Sequence, residues 1–545
     1  MQARLWWRRG SAAERMSVSV AALVVLALIV WVATPTGTNG DTDVAAGTAG
    51  ASGQASEGTP GAGNATTGTV GGAAAGDRGG AAAGGTSAAA LSTGGSAPGS
   101  AGGGGARGAS AGAGGAATGS DGSGGDARSA AGGANTNCLK PPSGTPGVSD
   151  SQITIGIGVL DLAGAIGNSA AGVASADELQ RIAAAAVADI NTRGGVQCRS
   201  LVAKYYKGNP INQDQLRATC LQIIQDRPFL FADAGAFAYP FGAYNCLSQQ
   251  KVPVLTPTNI TSSDVQRFGP YVASYTSNAE TAMYTAVFGA KQMGMFDPAK
   301  GFKKLGLLLE DCAPEFNRAM EAALTKAGVT GGQISKYEFP CPSGGFASPS
   351  QMSQAVIQHR RDGVTHVFML TGGGSQKSYT EAATTQGFRP KQIFSDYNGM
   401  MVTAGSATGP RGDTIDGALG ITTNLFGLDT TPGLQPDAGT RRCQAIIAKA
   451  GLPPSYVFGK QGGTVCDAVW AAEAAINGAK ALTREAALPG LFNAGPIQYS
   501  YPNPPATYAA PSKFSGGDTW WPTEFHADCN CWRVLDANRR PSFTP

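Results

Sequence analysis

The sequence predicts an α/β protein built from two doubly wound, Rossmann-like lobes joined by a hinge that the chain crosses more than once. A transmembrane helix and a disordered linker are expected to precede the lobes. Three observations carry this reading. A charge-free apolar run lies near the start, about a hundred residues of Gly, Ala, Ser and Thr follow it, and from Ile153 strand-like and helix-like segments alternate.

The first element is Met16–Ala33, MSVSVAALVVLALIVWVA, which carries no charge and is long enough to span a bilayer. Arg4, Arg8, Arg9 and Arg15 precede it against the single acid Glu14, so the positive-inside rule puts residues after Ala33 outside the cell. Bulky Trp31 and nearby Pro35 make a poor cleavage site, which favours an uncleaved anchor in the cell membrane; secretion after signal cleavage is the alternative. Those N-terminal charges equal the formal net charge of the whole 545-residue chain, +3, so the exported part is nearly neutral. With no basic tract, nucleic-acid binding has no support.

Residues 35–137 contain almost no large apolar side chain and cannot bury enough surface to offset their ordering entropy. They read as a flexible tether with a root-mean-square reach of about 50 to 60 Å.

The lobes begin at Cys138. ITIGIGVLD is a strand, and SADELQRIAAAAVADINTRGGV has helical spacing, with Ser175 as N-cap and Gly194-Gly195 as stop. SLVAKYY, the helix NQDQLRATCLQIIQD, PFLFADAG, a helix through Asn245 and VPVLTPT continue the alternation, which implies a parallel sheet covered on both faces. After the helix AMYTAVFGAKQMGM it restarts with KKLGLLLED, PEFNRAMEAALTKAG, QISKYEF, SQMSQAVIQHRRDG, THVFMLT, a helix through Glu381 and QIFSDY. IDGALGITTN and the helix CDAVWAAEAAINGAK are expected to return to the first lobe, ahead of a turn-rich tail containing Trp520, Trp521 and Trp532. The expected domains are therefore 1–34 (basic segment and anchor), 35–137 (linker), 138–279 (first lobe), 280–411 (second lobe), 412–490 (return to the first lobe) and 491–545 (hinge crossing and tail).

Ten cysteines in an exported chain favour disulfides over metal sites. Cys220 and Cys246 lie on helices flanking PFLFADAG, where consecutive crossover helices can run side by side, and are expected to pair. Similar adjacency suggests Cys312 with Cys341 and Cys443 with Cys466. The same chemistry favours a disulfide over zinc at His526, Cys529 and Cys531. His359 and His366 are expected on the solvated surface. No metal and no cofactor is predicted.

Open parallel sheets bind ligands beyond the carboxyl ends of their strands. The loops there are LDLAGA, GAFAYP and TPTNIT in the first lobe and EDCAPE, TGGGSQKS and SDYNG in the second. They supply hydroxyls, amides, aromatic rings and a few acids, which suits capture of a small polar molecule. The candidate ligand-binding residues are Phe237, Ala238, Tyr239, Thr256, Thr258, Asn259, Glu315, Thr371, Ser375, Asp396 and Tyr397. TGGGSQKS lacks the Gly-Lys-Ser/Thr ending of a phosphate loop and reads as a polar turn.

The order ITIGIGVLDLAGAIG, a helix ending ADINTRGGV, PVLTPTNIT and KKLGLLLED with its following helix resembles the type I periplasmic binding proteins, in their leucine/isoleucine/valine-binding branch, over about residues 150–535. The resemblance implies a two-lobed receptor that closes on a small-molecule ligand and hands it to an ABC-type transporter permease or a sensor. It also implies that residues 237–239 and 256–259 hold a ligand carboxylate while Asp396 meets an ammonium. Two departures put the usual amino-acid specificity in question: Ala163-Gly164 stands where the family often has Thr-Gly, and Ala313-Pro314-Glu315 replaces a Tyr-Gly pair. Catalysis is not expected, because there is no GxSxG elbow or HExxH pair, no GxGxxG follows the first strand, and the chain has only three histidines. A membrane-anchored sensor or envelope-interaction module on the same fold is the alternative.

Overall fold

The computed structural model describes residues 138–545 apart from Ala163, Ile211, 238–242, 341–346, 397–400, 402–403 and Asn503. The described residues fall in one compact unit, Thr118–Pro545. The expected anchor and linker lie outside the described residues, and among these no helix is long and apolar enough to cross a membrane.

The first lobe is a five-stranded parallel sheet in the order β2-β1-β3-β4-β5. Its strands are β1 (Gln152–Leu160), β2 (Ser200–Gly208), β3 (Phe231–Ala234), β4 (Val254–Thr256) and β5 (Val272–Ser274). Between them run α1 (Gly164–Ala170), α2 (Ala176–Thr192), α3 (Gln213–Asp226), α4 (Ala243–Gln249) and α5 (Ser262–Phe268). Ser175 starts α2 with a complete capping box, its hydroxyl on the Glu178 N–H and the Glu178 carboxylate on the Ser175 N–H, a device that stabilises a helix start by about 1 kcal/mol. One face of the sheet buries Ile153, Ile155, Ile157 and Val159 against Leu179, Ile182 and Ile190 of α2. The other buries Phe231 with Tyr206, Leu216, Cys220 and Tyr244. Burial on both faces explains the near-continuous apolar runs in these strands.

The second lobe holds α6 (Ala279–Gln292), β6 (Leu305–Glu310), α7 (Pro314–Ala327), β7 (Ile334–Phe339), α8 (Pro349–Arg361), β8 (His366–Met369), α9 (Gly373–Thr385), β9 (Lys391–Ser395) and β10 (Leu419–Thr422). The chain then returns through α10 (Ala438–Lys449), α11 (Tyr456–Gly459), α12 (Gly462–Gly478) and α13 (Arg484–Ala487). It ends in β11 (Thr519–His526), β12 (Cys531–Val534) and β13 (Arg540–Pro541). The second sheet runs β12-β11-β10-β9-β8-β6-β7, parallel through β10 and antiparallel at β11 and β12.

Two expectations are corrected here. IDGALGITTN does not return to the first lobe: Leu419 pairs in parallel with Ile393 and Ile421 with Ser395 of β9. Gly289 of α6 secures that placement, since a Cβ there would lie 2.8 Å from Ile421. The crossing therefore follows β10, and after it α10 joins the first-lobe core through Cys443, Ile446 and Ile447 and α12 through Val469, Ala472 and Ile476. The tail is likewise not merely turns, because Trp520, Trp521 and Trp532 lie on the antiparallel strands β11 and β12 and are buried.

Cys220–Cys246 and Cys443–Cys466 are joined as expected. Cys312 is disulfide-bonded, while Cys341 lies outside the described residues. Cys138–Cys198 and Cys529–Cys531 complete the pairs seen. The two histidines expected at the surface are buried. His359 Nδ1 lies 2.8 Å from the Tyr379 hydroxyl, and His366 packs edge-on against Phe302. Burial pushes both down to about 4, so they remain neutral imidazoles at physiological pH.

Candidate functional site

The carboxyl ends of both sheets meet near one interlobe contact. Ser263 of α5, in the first lobe, donates to Glu315 Oε1 of α7, in the second, at 2.6 Å. The Glu315 charge adds to burial in raising the neighbouring Asp264, whose carboxylate also completes the Thr261 capping box.

On the first-lobe side, β3 ends in FADAG. Asp233 Oδ1 accepts the N–H groups of Gly235 at 3.1 Å and Ala236 at 2.8 Å, folding the chain back. Gly235 sits at φ +97°, a conformation that glycine adopts without strain. Asp233 is buried, and its Oδ2 has no hydrogen-bond partner among the described residues. Burial pushes this carboxyl up to about 8. Phe237 turns inward and packs edge-to-face on Phe231 at 5.3 Å, so it is core rather than an exposed surface. Ala238 and Tyr239 lie outside the described residues.

The next loop is held by its own polar groups. Thr258 N–H donates to Thr256 Oγ1 at 3.1 Å, and the Thr258 hydroxyl donates to the Phe237 carbonyl at a long 3.4 Å. Asn259 Nδ2 donates to the Ser277 carbonyl at 2.7 Å, which ties the loop to the first crossing.

On the second-lobe side, β6 ends in Glu310. Its Oε1 accepts the Thr371 hydroxyl at 2.8 Å and the Gly372 N–H at 3.3 Å, and burial raises its pKa. Glu310, Ala313, Phe316, Asn317, Leu370 and Met283 enclose a small pocket with about 10 Å³ for water-sized occupants, enough for one molecule. Two of these residues, Phe316 and Asn317, stand in the first turn of α7, with Ala313 as its N-cap, beside the interlobe Glu315. Glu310 opens the loop EDCAPE singled out in the sequence but was not among its candidate residues, and neither were Phe316 and Met283. An acid closing the apolar run LGLLLE was the available signal for the first.

The other second-lobe candidates are structural in this conformation. The Ser375 hydroxyl accepts the Ala347 N–H at 2.8 Å inside α9, which begins at Gly373, so TGGGSQKS is largely a helix start rather than a turn. Asp396 is buried, and its Oδ2 accepts the Thr423 N–H at 2.7 Å and the hydroxyls of Thr422 at 2.9 Å and Thr423 at 3.0 Å. Burial raises it against those donors. It thus anchors the chain where β10 leaves for the first lobe. Tyr397 lies outside the described residues.

Three crossings form the hinge. Ser274 pairs with Ser515 and Asn424 with Pro502, while Asp467 of α12 accepts the N–H groups of Ser500 at 2.6 Å and Tyr501 at 2.9 Å. Among the described residues no three His, Cys, Asp or Glu side chains are grouped to hold a metal ion.

No family model matches the chain, and no curated protein matches it in sequence. Solved structures do match in shape. A fatty acid ABC transporter substrate-binding protein from Thermomonospora curvata aligns with 75% of this chain and 95% of its own, at 14% identity and a TM-score of 0.53. A solute-binding protein from R. palustris in complex with 4-hydroxybenzoate aligns with 72% and 98%, at 14% identity and 0.53. A branched-chain amino acid ABC transporter protein from Thermus thermophilus with bound valine aligns with 73% and 98%, also at 14% identity and 0.53. Two lobes, three crossings and facing strand ends define the type I periplasmic binding protein fold, and this chain has it.

Proposed function

We propose that the protein is an exported solute-binding protein that captures a small polar ligand between its lobes by hinge closure and delivers it to an ABC-type transporter. The observation carrying this reading is the convergence of both sets of strand ends at the Ser263–Glu315 contact, above a hinge of three crossings. Ligand would dock first on the hydroxyl-rich first lobe and recruit the second. Closure is then a population shift limited by the ligand's preference for the closed form.

The proposed ligand is an amino acid or related carboxylate. Fatty acid, 4-hydroxybenzoate and valine, named with the similar structures, all carry a carboxylate. The hydroxyls of Thr256 and Thr258 and the N–H groups around Tyr239 would receive it; the long Thr258 bond is readily exchanged for a ligand oxygen. Asp396 and Tyr397 would close from the second lobe with Glu315, Thr371 and Ser375. No chemistry on the ligand is proposed.

Met16–Ala33 would hold the protein in the membrane as a single-pass anchor, with residues 35–137 as tether and the lobes outside the cell; secretion after cleavage is the alternative. The tether equally favours a membrane-anchored sensor. Thermal-shift and calorimetric screening against small carboxylates tests the binding role, with Thr258→Ala and Asp396→Asn as variants. Saturable one-site binding weakened by both variants is expected. Binding that neither variant weakens would move the site elsewhere, and conversion of a bound compound would make the protein an enzyme.

A further inference from the structure

The hairpin that joins β11 to β12 carries a disulfide unlike the others. Cys529 and Cys531 are two residues apart, whereas Cys138–Cys198, Cys220–Cys246 and Cys443–Cys466 span 60, 26 and 23. A bridge enclosing a single residue removes the least chain entropy from the unfolded state, so it adds little to stability. The hairpin is already held by the pairs Thr523↔Val534, Glu524↔Arg533 and Phe525↔Trp532. Cys529 is also exposed and Cys531 only half-buried, while Cys220, Cys443 and Cys466 are fully buried.

The surroundings supply proton chemistry. His526 is the cross-strand partner of Cys531, so their side chains stand on the same face. Its Nε2 lies 3.5 Å from Glu524 Oε1. Asn530, between the cysteines, adopts a left-handed φ of 52°, which asparagine tolerates, and its Nδ2 donates to the Gly405 carbonyl at 2.8 Å. The hairpin tip therefore grips the segment that leads from β9 to β10.

We propose that Cys529–Cys531 is a thiol–disulfide exchange site for a low-molecular-weight thiol. The incoming thiol gives its proton to the His526 imidazole and attacks the exposed Cys529 sulfur. The Cys529–Cys531 bond breaks as the bond between thiol and Cys529 forms. The electron pair leaves on Cys531, which takes the proton from His526. The products are a mixed disulfide at Cys529 and a free thiol at Cys531. A second thiol attacking the mixed disulfide releases the oxidised thiol and leaves the cysteine pair reduced, so two electrons move in all. Exposed disulfides are the ones that exchange in this way.

The test uses the full exported chain under native conditions with reduced glutathione at increasing concentration, quenched with acid, alkylated and mapped by mass spectrometry. Cys529 and Cys531 should open at a glutathione concentration about tenfold or more below that needed for Cys220–Cys246 or Cys443–Cys466, as expected for an exposed bridge. Cys531→Ala, whose Cys529 is a free thiol, should take up one glutathione from oxidised glutathione and release one reduced glutathione, keeping the adduct because no second cysteine resolves it, and His526→Gln should slow exchange in the parent pair by about tenfold or more without lowering the unfolding midpoint. If the short bridge opens only together with the buried ones, or Cys529 acquires no adduct, the site is not an exchange site. An unchanged rate in His526→Gln would overturn the proton relay.

Discussion

Replacing Asp233 with Asn should change how the protein's stability depends on pH. In the folded state burial raises this carboxyl from 3.8 to about 8. The native chain therefore keeps its proton up to about pH 8, while the unfolded chain releases it near the ordinary value. Between those limits the unfolded state binds fewer protons, so this residue's contribution to stability falls as pH rises and levels off above about 8. At about 1.4 kcal/mol per pH unit, the loss between pH 5 and pH 8 is about 4 kcal/mol. Asn keeps an oxygen for the Gly235 and Ala236 N–H groups but cannot ionise. Asp467, raised to about 7 by burial, adds a similar slope to both proteins and cancels in the difference. Urea unfolding of both proteins at pH 5, 6, 7 and 8 is the assay. The stability of Asp233→Asn relative to the parent should rise by about 4 kcal/mol across the series. Parallel curves would show that Asp233 is ionised in the fold, and that its buried oxygen has a partner.

Other expectations concern the lobes, the staples and the anchor. Ser263→Ala removes the interlobe hydrogen bond to Glu315, along with a 2.9 Å contact to the Thr261 hydroxyl within the first lobe, and should weaken ligand affinity by about 0.5–1.5 kcal/mol, measured by calorimetry. Replacing Cys220 and Cys246 together with Ala opens a bridge across 26 residues and should cost about 3 kcal/mol in urea unfolding. If Met16–Ala33 is an uncleaved anchor, full-length protein is found in the membrane fraction; an N-terminus between residues 34 and 45 would instead mean secretion.

Where patterning and chemistry agree, the fold is legible in the sequence. Ser175 with Glu178 marks the start of α2, and ITIGIGVL, buried on both faces, can only be an interior strand. The four residues of β10 are apolar enough for either sheet. Their pairing with β9, and the close approach of Gly289 to Ile421, place them in the second sheet, and no local pattern reports such tertiary contacts. β11 was missed because Trp520 and Trp521 are followed by Pro522, which reads as a turn but is accommodated in the strand. The candidate loops were legible as loops at strand ends, but their side-chain directions were not. Phe237 is core, and Asp396 serves the hinge in this conformation. His359 and His366 show the same limit, since a buried histidine with a hydroxyl partner looks in sequence like a solvated one.

The interlobe cleft as a ligand trap is tested most directly by mass spectrometry of the gently purified protein, comparing small molecules released on denaturation with those in the final buffer. The account predicts one small carboxylate, released intact in up to about equimolar amount, which rebinds to the unloaded protein with one-site stoichiometry. A released molecule that returns chemically altered after incubation with the protein, or one whose rebinding is untouched by Thr258→Ala and Asp396→Asn, would contradict it.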